Sequence, residues 1–231
     1  MGTVSVSYKR HRFPRELIAH AVWLYFRFPL SFRLIEEMLL ERGIIVSYET
    51  IRRWSLKFGA AYVRALRRKP ANRGDIWHLD EVRIVIDGQP HWLWRAVDQH
   101  GYVLDEILQT RRNTKAAKRL LTRPLRRQGA RPKRMVTGSY GAAWRKLTSS
   151  IQHLSHKGLN NRAENSHLPL RKRERIMQKF RSPGSCQRFV SVFSAVRNLF
   201  VPPASINNSI SRHIHRVRAF AQWKAATALA A

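Results

Sequence analysis

The spacing of apolar residues changes from a helical to a strand period near residues 67–75, and this change divides the sequence into two parts. In residues 14–67 apolar side chains recur at intervals of three and four, as they do in amphipathic helices. The stretch RRKPANRGD at residues 67–75 is polar and interrupted by proline and glycine, which is typical of a linker. After it, apolar and polar residues alternate as in strands. We therefore predict an all-α domain at residues 1–68, a linker at 69–75 and a sheet-containing domain from residue 76.

The N-terminal part predicts three helices. The first begins near Pro14, the second is capped by Ser31 and stops at Gly43, and the third is capped by Ser47. The second and third resemble a helix-turn-helix, whose recognition helix enters the DNA major groove. The first turns of the third helix carry four candidate DNA contacts, Tyr48, Thr50, Arg52 and Arg53. The same side chains also fit an ordinary solvated helix face.

The part after the linker predicts a mixed α/β domain at residues 76–202. The strands IWHLDEVRIVI, HWLWRAVD and YVLDEILQ are joined by short turns, which predicts an antiparallel meander. A basic helix interrupted at Pro124 leads to a strand ending at Gly138, a short helix in YGAAWRKL and a short strand at IQHLS. A helical region over residues 161–200 follows, with breaks expected at Pro169 and Pro183. This element order is that of a ribonuclease-H-like fold, and residues 203–231 are predicted to form a tail with a terminal helix.

The charge of the chain indicates its partner. The sequence contains 44 Lys and Arg against 14 Asp and Glu, a formal net charge of +30. A protein this cationic repels itself unless a polyanion is its normal partner, and nucleic acid is the polyanion we expect. A single cysteine, Cys186, excludes an intrachain disulfide and a cysteine-based zinc site. The chain has no apolar stretch of membrane-spanning length, so we expect a cytoplasmic protein associated with the bacterial nucleoid and no membrane partner.

Asp80 is the first candidate for chemistry. Alternation along the first strand places it on one face with four branched aliphatic residues, Ile76, Val82, Ile84 and Ile86. An ionised carboxylate in such surroundings costs several kcal/mol unless a cation or hydrogen bonds compensate it. The compensating cation is either a metal ion or one of the many arginines, and spacing alone leaves both possibilities open.

Glu164 is the second candidate. It is the only acidic residue between Glu106 and Glu174, and it precedes a strongly basic stretch that includes Arg171 and Lys172. An isolated carboxylate beside such a stretch is expected where Mg²⁺ and phosphates are bound together. The alternative is a glutamate favoured by the dipole at the start of a helix.

Five segments resemble one family of proteins: HRFPRELIAHAVWLYFRFPLS, ERGIIVSYETIRRWSLKFG, WHLDEV, WLWRAVD and GLNNRAENSH with the following RKRER. They are similar to the bacterial insertion-sequence transposases of the "six" family, which are DDE enzymes, and the resemblance covers residues 8–200. It implies a helix-turn-helix that reads terminal inverted repeats and a ribonuclease-H-like catalytic domain. Two aspartates and a glutamate would hold two Mg²⁺ ions, one activating the attacking oxygen and one stabilising the leaving oxygen. Asp80 matches the first aspartate, Glu164 the glutamate, and Arg171 with Lys172 the residues that grip DNA near the cut.

The segment RMVTGSYGAA departs from the family pattern. In the family a second catalytic aspartate follows the strand ending in VT, whereas here Thr137 runs straight into Gly138. No Asp or Glu occurs anywhere from residue 107 to 163. Removing one member of a cooperating catalytic set costs orders of magnitude in rate, so we expect cleavage and strand transfer to be crippled or abolished.

Two functions remain open from the sequence. The first is a transposase that acts on double-stranded terminal repeats and target DNA, as a homodimer or larger assembly, and that is catalytically defective in this copy. The second is a DNA-binding remnant without catalysis that represses or inhibits transposition. A basic RNA-binding protein would explain the charge but not the positions of Asp80 and Glu164. The terminal helix, residues 213–230, fits either contact between copies or packing on its own domain.

Overall fold

The computed structural model of the protein describes residues 6–66, 75–128, 132–137, 151–155, 160–203 and 206–228. The chain forms two compact units. The N-terminal unit consists of residues 1–68 together with 191–202 and 206–231, and the sheet unit consists of residues 69–190 with 203–205. The later segments of the N-terminal unit come from the region that the sequence assigned to the catalytic domain and the tail. Among the described residues, no helix combines the length and the apolar character that crossing a bilayer requires.

The N-terminal unit is helical. It contains α1 (Arg15–Arg27), α2 (Phe32–Leu40) and α3 (Tyr48–Ala65). Both predicted caps are confirmed, because Ser31 Oγ accepts a hydrogen bond from Leu34 N at 3.1 Å and Ser47 Oγ accepts one from Thr50 N at 3.4 Å. Helix α2 ends three residues before Gly43, which adopts the left-handed backbone conformation in the following turn.

The terminal helix, α7 (Ser209–Ala226), belongs to the core of the N-terminal unit. Its Trp223 lies edge-on to Tyr62 of α3, with ring centroids 5.4 Å apart. The Tyr8 hydroxyl donates to the carbonyl of Thr227 at 2.8 Å, and its oxygen lies within hydrogen-bond distance of Tyr62 Oη, at 2.9 Å. The two ends of the chain therefore meet around the aromatic side of α3.

The sheet unit is built on five strands: β1 (Ile76–Ile86), β2 (Gln89–Asp98), β3 (Val103–Gln109), β4 (Arg134–Thr137) and β5 (Gln152–Ser155). Their order in the sheet is β3-β2-β1-β4-β5. The first three strands are antiparallel, whereas β4 is parallel to β1 and β5 is parallel to β4. The β1–β2 turn uses Asp87 and Gly88, both with positive φ, as predicted for a tight hairpin. This mixed sheet confirms the predicted ribonuclease-H-like α/β fold class.

Helices cover the two faces of the sheet. On one face, α4 (Thr114–Gln128) packs an apolar cluster against the strands; its strand members are Trp77, Leu79, Trp94, Ala96, Ile107 and Met135. Side chains of alternate residues point to the opposite face, which is the face of Asp80 and Arg95. Helix α5 (Asn161–Ile176) lies there, since its Ser166 and His167 contact those two side chains. Helix α6 (Pro183–Phe200) begins in the sheet unit, and its residues from 191 onward belong to the N-terminal unit.

Two predicted helix breaks are wrong. Helix α4 continues through Pro124, and α5 continues through Pro169. A proline inside a helix removes one hydrogen bond, but α5 buries side chains on both sides of Pro169, at His167 and Leu170, and this packing outweighs the local preference. The chain turns instead at Gln178 and Lys179, which have left-handed φ values of 55° and 73°. The predicted strand end at Gly138 and the helix in YGAAWRKL lie outside the described residues.

Candidate catalytic and DNA-binding sites

Asp80 lies in the middle of β1, directly opposite Arg95 of β2, which in turn lies opposite Glu106 of β3. Cross-strand partners point to the same face, so the three side chains form one row across the sheet. Arg95 donates through Nε and Nη2 to Glu106 Oε2, at 3.2 and 2.9 Å, and its Nη1 donates to the carbonyl of Ser166 in α5. These donors of Arg95 are directed to Glu106 and α5 and not to Asp80.

The Arg95–Glu106 pair is buried, with side-chain exposures of 1% and 5%. Two such charges are tolerated only with good geometry and further hydrogen bonds, and the Ser166 carbonyl supplies one. That carbonyl lies two residues after Glu164. The pair therefore ties the first half of α5 to the centre of the sheet.

The first half of α5 contacts β1 at two points, of which one is a hydrogen bond. Asn160, the residue before the helix, donates through Nδ2 to the carbonyl of Leu79 at 3.1 Å instead of capping its own helix. Two turns further, His167 Nε2 lies 3.6 Å from Asp80 Oδ2. Glu164 lies between these two contacts, three residues before His167, and residues at this spacing are neighbours on a helix surface. The fold thus brings the helix turn of Glu164 to the strand position of Asp80.

The two candidate carboxylates differ in their surroundings. The Asp80 side chain is 19% exposed and faces His167, whose pKa is lowered because the ring is buried. The imidazole is therefore neutral near pH 7, and its contact with Asp80 is not a salt bridge. Glu164 is exposed in the first turn of α5. Within the described residues, no ion pair holds it.

The end of β4 adjoins Asp80. Thr137, the last residue of β4, is paired with Leu79 in parallel register, so β4 ends beside the middle of β1, one residue before Asp80. In ribonuclease-H-like and other α/β sites such strand ends carry the reactive groups. The next residue in the sequence is Gly138, which lies outside the described residues. The fully buried Thr137 has its hydroxyl 3.1 Å from His153 Nε2 of β5.

The other acidic residues of the sheet are engaged elsewhere. Glu81 pairs with Arg112, and burial nevertheless raises the pKa of this carboxyl. Asp105 forms an ion pair with Arg123 at 3.0 Å. Asp98 Oδ1 accepts hydrogen bonds from the backbone N–H groups of two residues in the following turn, at 2.8 and 2.9 Å. None of these acids substitutes for a third carboxylate beside Asp80.

Asp80 and Glu164 fit a magnesium site by the type of their donors. Carboxylate oxygens are the protein ligands that Mg²⁺ prefers, usually one or two of them together with waters and phosphates. The described part of the chain contains no cluster of three or more His, Cys, Asp or Glu side chains suited to a metal ion. The described residues therefore offer part of a carboxylate set.

The predicted DNA contacts at the start of α3 are exposed but partly paired. Arg52 donates to Glu49 through Nε and Nη2, at 2.8 and 2.7 Å, and Arg53 Nε donates to the same carboxylate at 3.4 Å. These arginines lower the pKa of Glu49 to about 2. Tyr48 is 40% exposed and lies under the guanidinium of Arg33, 5.0 Å from its ring centroid. The Thr50 hydroxyl lies 3.0 Å from Ser47 Oγ at the cap.

The predicted DNA-gripping residues of α5 differ from each other. Lys172 is exposed. Arg171 is half-buried; its Nη1 donates to Glu174 Oε2 at 2.8 Å and its Nη2 donates to the carbonyl of Arg83. Arg171 therefore also links α5 to β1. The sequence interpretation missed the anchoring roles of Arg95, Asn160 and His167; the only signal for Arg95 was its position opposite Glu106 once the β2–β3 hairpin is drawn.

Among solved structures, the chain shows low similarity to retroviral integrases. One is a chain of the simian T-cell lymphotropic virus intasome in complex with PP2A regulatory subunit B56 gamma, with 16% identity, a TM-score of 0.41, and coverage of 62% of this chain and 53% of that one. Another is the HTLV-2 integrase catalytic core domain with magnesium, in its trimeric form, with 16% identity, a TM-score of 0.41, and coverage of 63% and 99%. The match spans about half of the intasome chain. At these values the likeness supports no conclusion about this chain.

Sequence comparison is more informative. Residues 74–201 match a family model described as a DDE domain, of the IS240 transposase type. The transposase for insertion sequence-like element IS431mec of Staphylococcus aureus is 30% identical over 178 residues, which cover 73% of this chain and 79% of that protein. The transposase for insertion sequence element IS257 in transposon Tn4003, also from Staphylococcus aureus, is 29% identical over the same coverage. The chain therefore belongs to the DDE transposases of bacterial insertion sequences, a family of DNA transposition and recombination.

Proposed function

We propose that this protein binds the terminal inverted repeats of its insertion sequence and is defective in the Mg²⁺-dependent cleavage and strand transfer of its family. One observation carries the proposal. The helix turn of Glu164 is attached to β1 beside Asp80, where β4 also ends, yet the sequence supplies no acid after β4. Asp80 and Glu164 account for two of the three expected carboxylates, and no acidic residue follows β4 to supply the third.

The residues of the sheet unit have separate roles in this proposal. Asp80 and Glu164 would hold Mg²⁺, which supplies Lewis-acid stabilisation of the reacting phosphate oxygens when bound. Arg95 and Asn160 keep α5 against the sheet, so that Glu164 stays beside β1. Lys172, exposed two turns after Glu164, is placed to bind a backbone phosphate as a point charge.

The proposed defect in cleavage follows from the number of carboxylates available to hold Mg²⁺. In the family pattern an aspartate follows β4, and here Gly138 follows Thr137. The sheet acids Glu81, Asp98 and Asp105 are engaged elsewhere and cannot replace it. Because catalytic groups that act together are strongly non-additive, loss of one lowers the rate by orders of magnitude.

DNA binding is proposed for the N-terminal unit. Helices α2 and α3 follow each other through a short turn, and α3 exposes Tyr48, Arg52 and Arg53 at its start, as a recognition helix does. With a net charge of +30, many phosphates should be contacted, and each adds about −0.9 to the slope of log affinity against log salt. Binding that does not weaken with salt would contradict this proposal.

A second candidate function is supported by a difference between the two units. Helices α2 and α3 are capped and packed, whereas the described residues of the sheet unit contain no cluster of three acidic side chains suited to a metal ion. Such a protein would act at the nucleoid as a DNA-binding remnant that occupies terminal repeats, or that joins assemblies of active transposase and inhibits them. Both candidates include homodimers or larger assemblies on DNA, and only catalysis separates them.

The test compares this protein with a variant in which the aspartate-containing segment is restored between Thr137 and Ser139. Both are assayed for Mg²⁺-dependent 3′-end cleavage of terminal-repeat DNA, and DNA binding is measured in parallel. If only the restored variant cuts while both bind, the chain is a defective transposase that survives as a DNA-binding protein. If both cut, the proposed defect is wrong.

A further inference from the structure

Helix α4 covers one face of the sheet with apolar side chains and presents cationic side chains outward. The residues of its buried side, which pack in the apolar cluster against the strands, are Ala116, Ala117, Leu120 and Leu121. Residues three, four and seven apart share one side of a helix, and those on the side away from the sheet are Lys115, Lys118, Arg119, Thr122 and Arg126. The four cations among them are exposed. We call these five residues the cationic face.

The cationic face has no counter-charge of its own. Helix α4 contains no Asp or Glu in its sequence. Among the described residues, no carboxylate pairs with any of the four cations, and Arg119 donates only to the neutral Gln109 Oε1, at 3.3 Å. Arg123, at the border with the buried side, does have a carboxylate partner, Asp105. An acid of the sheet thus reaches the border of α4 but not its outward side.

The unbalanced charges are unfavourable for the helix that carries them. Lys115 lies in the first turn, at the positive end of the helix dipole, where a cation is disfavoured. It also has Lys118 and Arg119 as neighbours at i+3 and i+4, and like charges at these spacings repel each other. A solvated helix surface ordinarily mixes charges of both signs. A surface of one sign is expected where a ligand of the opposite charge binds.

We propose that the cationic face of α4 binds the phosphate backbone of a DNA duplex of arbitrary sequence. The choice of DNA as the polyanion rests on the proposed function. From Lys115 to Arg126 the face extends roughly 16 Å along the helix, which is the rise of about four to five phosphates of one strand. Contacts of lysine and arginine to phosphates position a duplex but carry no sequence information. The ligand is therefore not the terminal repeat itself.

The place of α4 in the fold identifies the source of this duplex. Helix α4 lies on the face of the sheet opposite to that of Asp80 and α5. DNA that flanks the terminal repeat is continuous with the strand that Asp80 and Glu164 would cut, so it is expected beside α5. A separate duplex has no such constraint. We therefore identify the ligand of the cationic face as target DNA.

The test uses a variant of the full chain, Lys115→Gln/Lys118→Gln/Arg126→Gln, in which glutamine preserves the helix preference. It is titrated with a random-sequence DNA duplex that is not joined to a terminal repeat. Affinity should fall by about tenfold or more, and the slope of log affinity against log salt should become shallower by about 2.7, because each of three lost phosphate contacts contributes about 0.9. Fluorescence anisotropy over a series of salt concentrations measures both quantities.

The control, Lys179→Gln/Arg181→Gln/Arg188→Gln, removes the same charge from three other exposed positions of the sheet unit and should leave the affinity for the random duplex within about twofold. Circular dichroism checks that both variants are folded. Equal losses in the two variants overturn the proposal, because net charge and not α4 would then hold the duplex. It is also overturned if the unchanged protein does not bind the random duplex.

Two further titrations separate the remaining outcomes. An RNA duplex of the same length is titrated alongside, and a loss of affinity in the α4 variant for RNA but not for DNA contradicts the proposal. Terminal-repeat DNA is titrated separately with the unchanged protein. No preference for the terminal repeat over random sequence would refute the proposed role of the N-terminal unit, whereas the role of α4 depends only on the comparison of the two variants on random DNA.

Discussion

Helices α3 and α5 each place a glutamate in the first turn, but the two glutamates differ in their ion pairing. Glu49 of α3 is held by Arg52 and Arg53 at distances of 2.7–3.4 Å, and these arginines lower its pKa to about 2. Glu164 of α5 is exposed and has no such ion pair among the described residues. Hydrogen bonds of Asn160 and Arg95 hold the backbone of α5 around Glu164 against the sheet. A paired glutamate stabilises its own helix, whereas an unpaired glutamate on a fastened helix is available as a ligand.

The largest difference between Glu49 and Glu164 is expected when each carboxylate is removed in the variant with the restored aspartate. Glu164→Gln should abolish cleavage of terminal-repeat DNA, by about a thousandfold or more, because one of a cooperating set is lost. Glu49→Gln should leave cleavage by pre-bound protein within a few-fold of the parent. Single-turnover cleavage with Mg²⁺ measures both. Equal losses in the two variants would show that Glu164 has no special role.

The two Arg–Glu pairs of these regions provide the next test. Arg95→Met leaves the buried Glu106 without its partner and should lower the free energy of unfolding by about 3–5 kcal/mol. Arg52→Met breaks an exposed pair and should change it little, because water screens the carboxylate that remains. Urea unfolding followed by circular dichroism compares the two. If Arg95→Met/Glu106→Gln regains none of the lost stability, the buried pair is not the cause.

Removing the polar side chain that precedes α3 and the one that precedes α5 should affect stability and cleavage differently. Ser47→Ala removes a cap internal to α3 and should cost about 1 kcal/mol of stability. Asn160→Ala removes a hydrogen bond between α5 and β1 and should also slow cleavage by the restored variant, because Glu164 is then held less firmly. Unfolding and single-turnover cleavage are measured for both variants. A slowing of the cleavage step by Ser47→Ala equal to that by Asn160→Ala would contradict the positioning role.

The smallest effect is expected for DNA affinity. Glu49→Gln frees Arg52 and Arg53 for phosphates and should tighten terminal-repeat binding by a few-fold, with a steeper dependence on salt. Because the pKa of Glu49 is about 2 and lies below its unfolded value, the glutamate remains ionised in the folded protein until the pH approaches 2. The pairing is therefore complete at every pH above about 5, and the unchanged protein should show no gain in affinity between pH 8 and pH 5 from this group. Fluorescence anisotropy titrations check this, and weaker binding by Glu49→Gln would show that Glu49 orders the arginines for DNA.

Much of the fold could be predicted because local sequence patterns determine it. The caps at Ser31 and Ser47, the turn at Asp87 and Gly88, and the change of period near residue 70 each depend on a few adjacent residues. The continuation of α5 through Pro169 depends instead on what the helix buries against the sheet. Local preference argues for a break there, and tertiary packing outweighs it.

The candidate site also has one part that local sequence predicts and one part that depends on long-range contacts. Asp80 could be recognised as an unusual carboxylate because strand alternation fixes its apolar neighbours. The support of Glu164 by Asn160 and Arg95 could not, since the sequence separations are 81 residues for Asn160 with Leu79 and 71 for Arg95 with Ser166. Such contacts exist only once strand order and helix placement are known. The assignments of Asp80 and Glu164 as metal ligands, and of Tyr48, Thr50, Arg52, Arg53, Arg171 and Lys172 as DNA contacts, stay predictions.

The packing of α7 against α3 has a consequence for the order in which the protein is made. The N-terminal unit includes residues 191–202 and 206–231, so helices α1 to α3 leave the ribosome before the later segments that complete their core. Until then the aromatic side of Tyr62 lacks Trp223, and Tyr8 lacks its carbonyl acceptor at Thr227. We expect a chain interrupted within the sheet unit to expose this apolar surface and to be degraded. The N-terminal unit is therefore expected to become stable only after the ribosome has translated the whole sheet unit, so that every stable molecule contains both units.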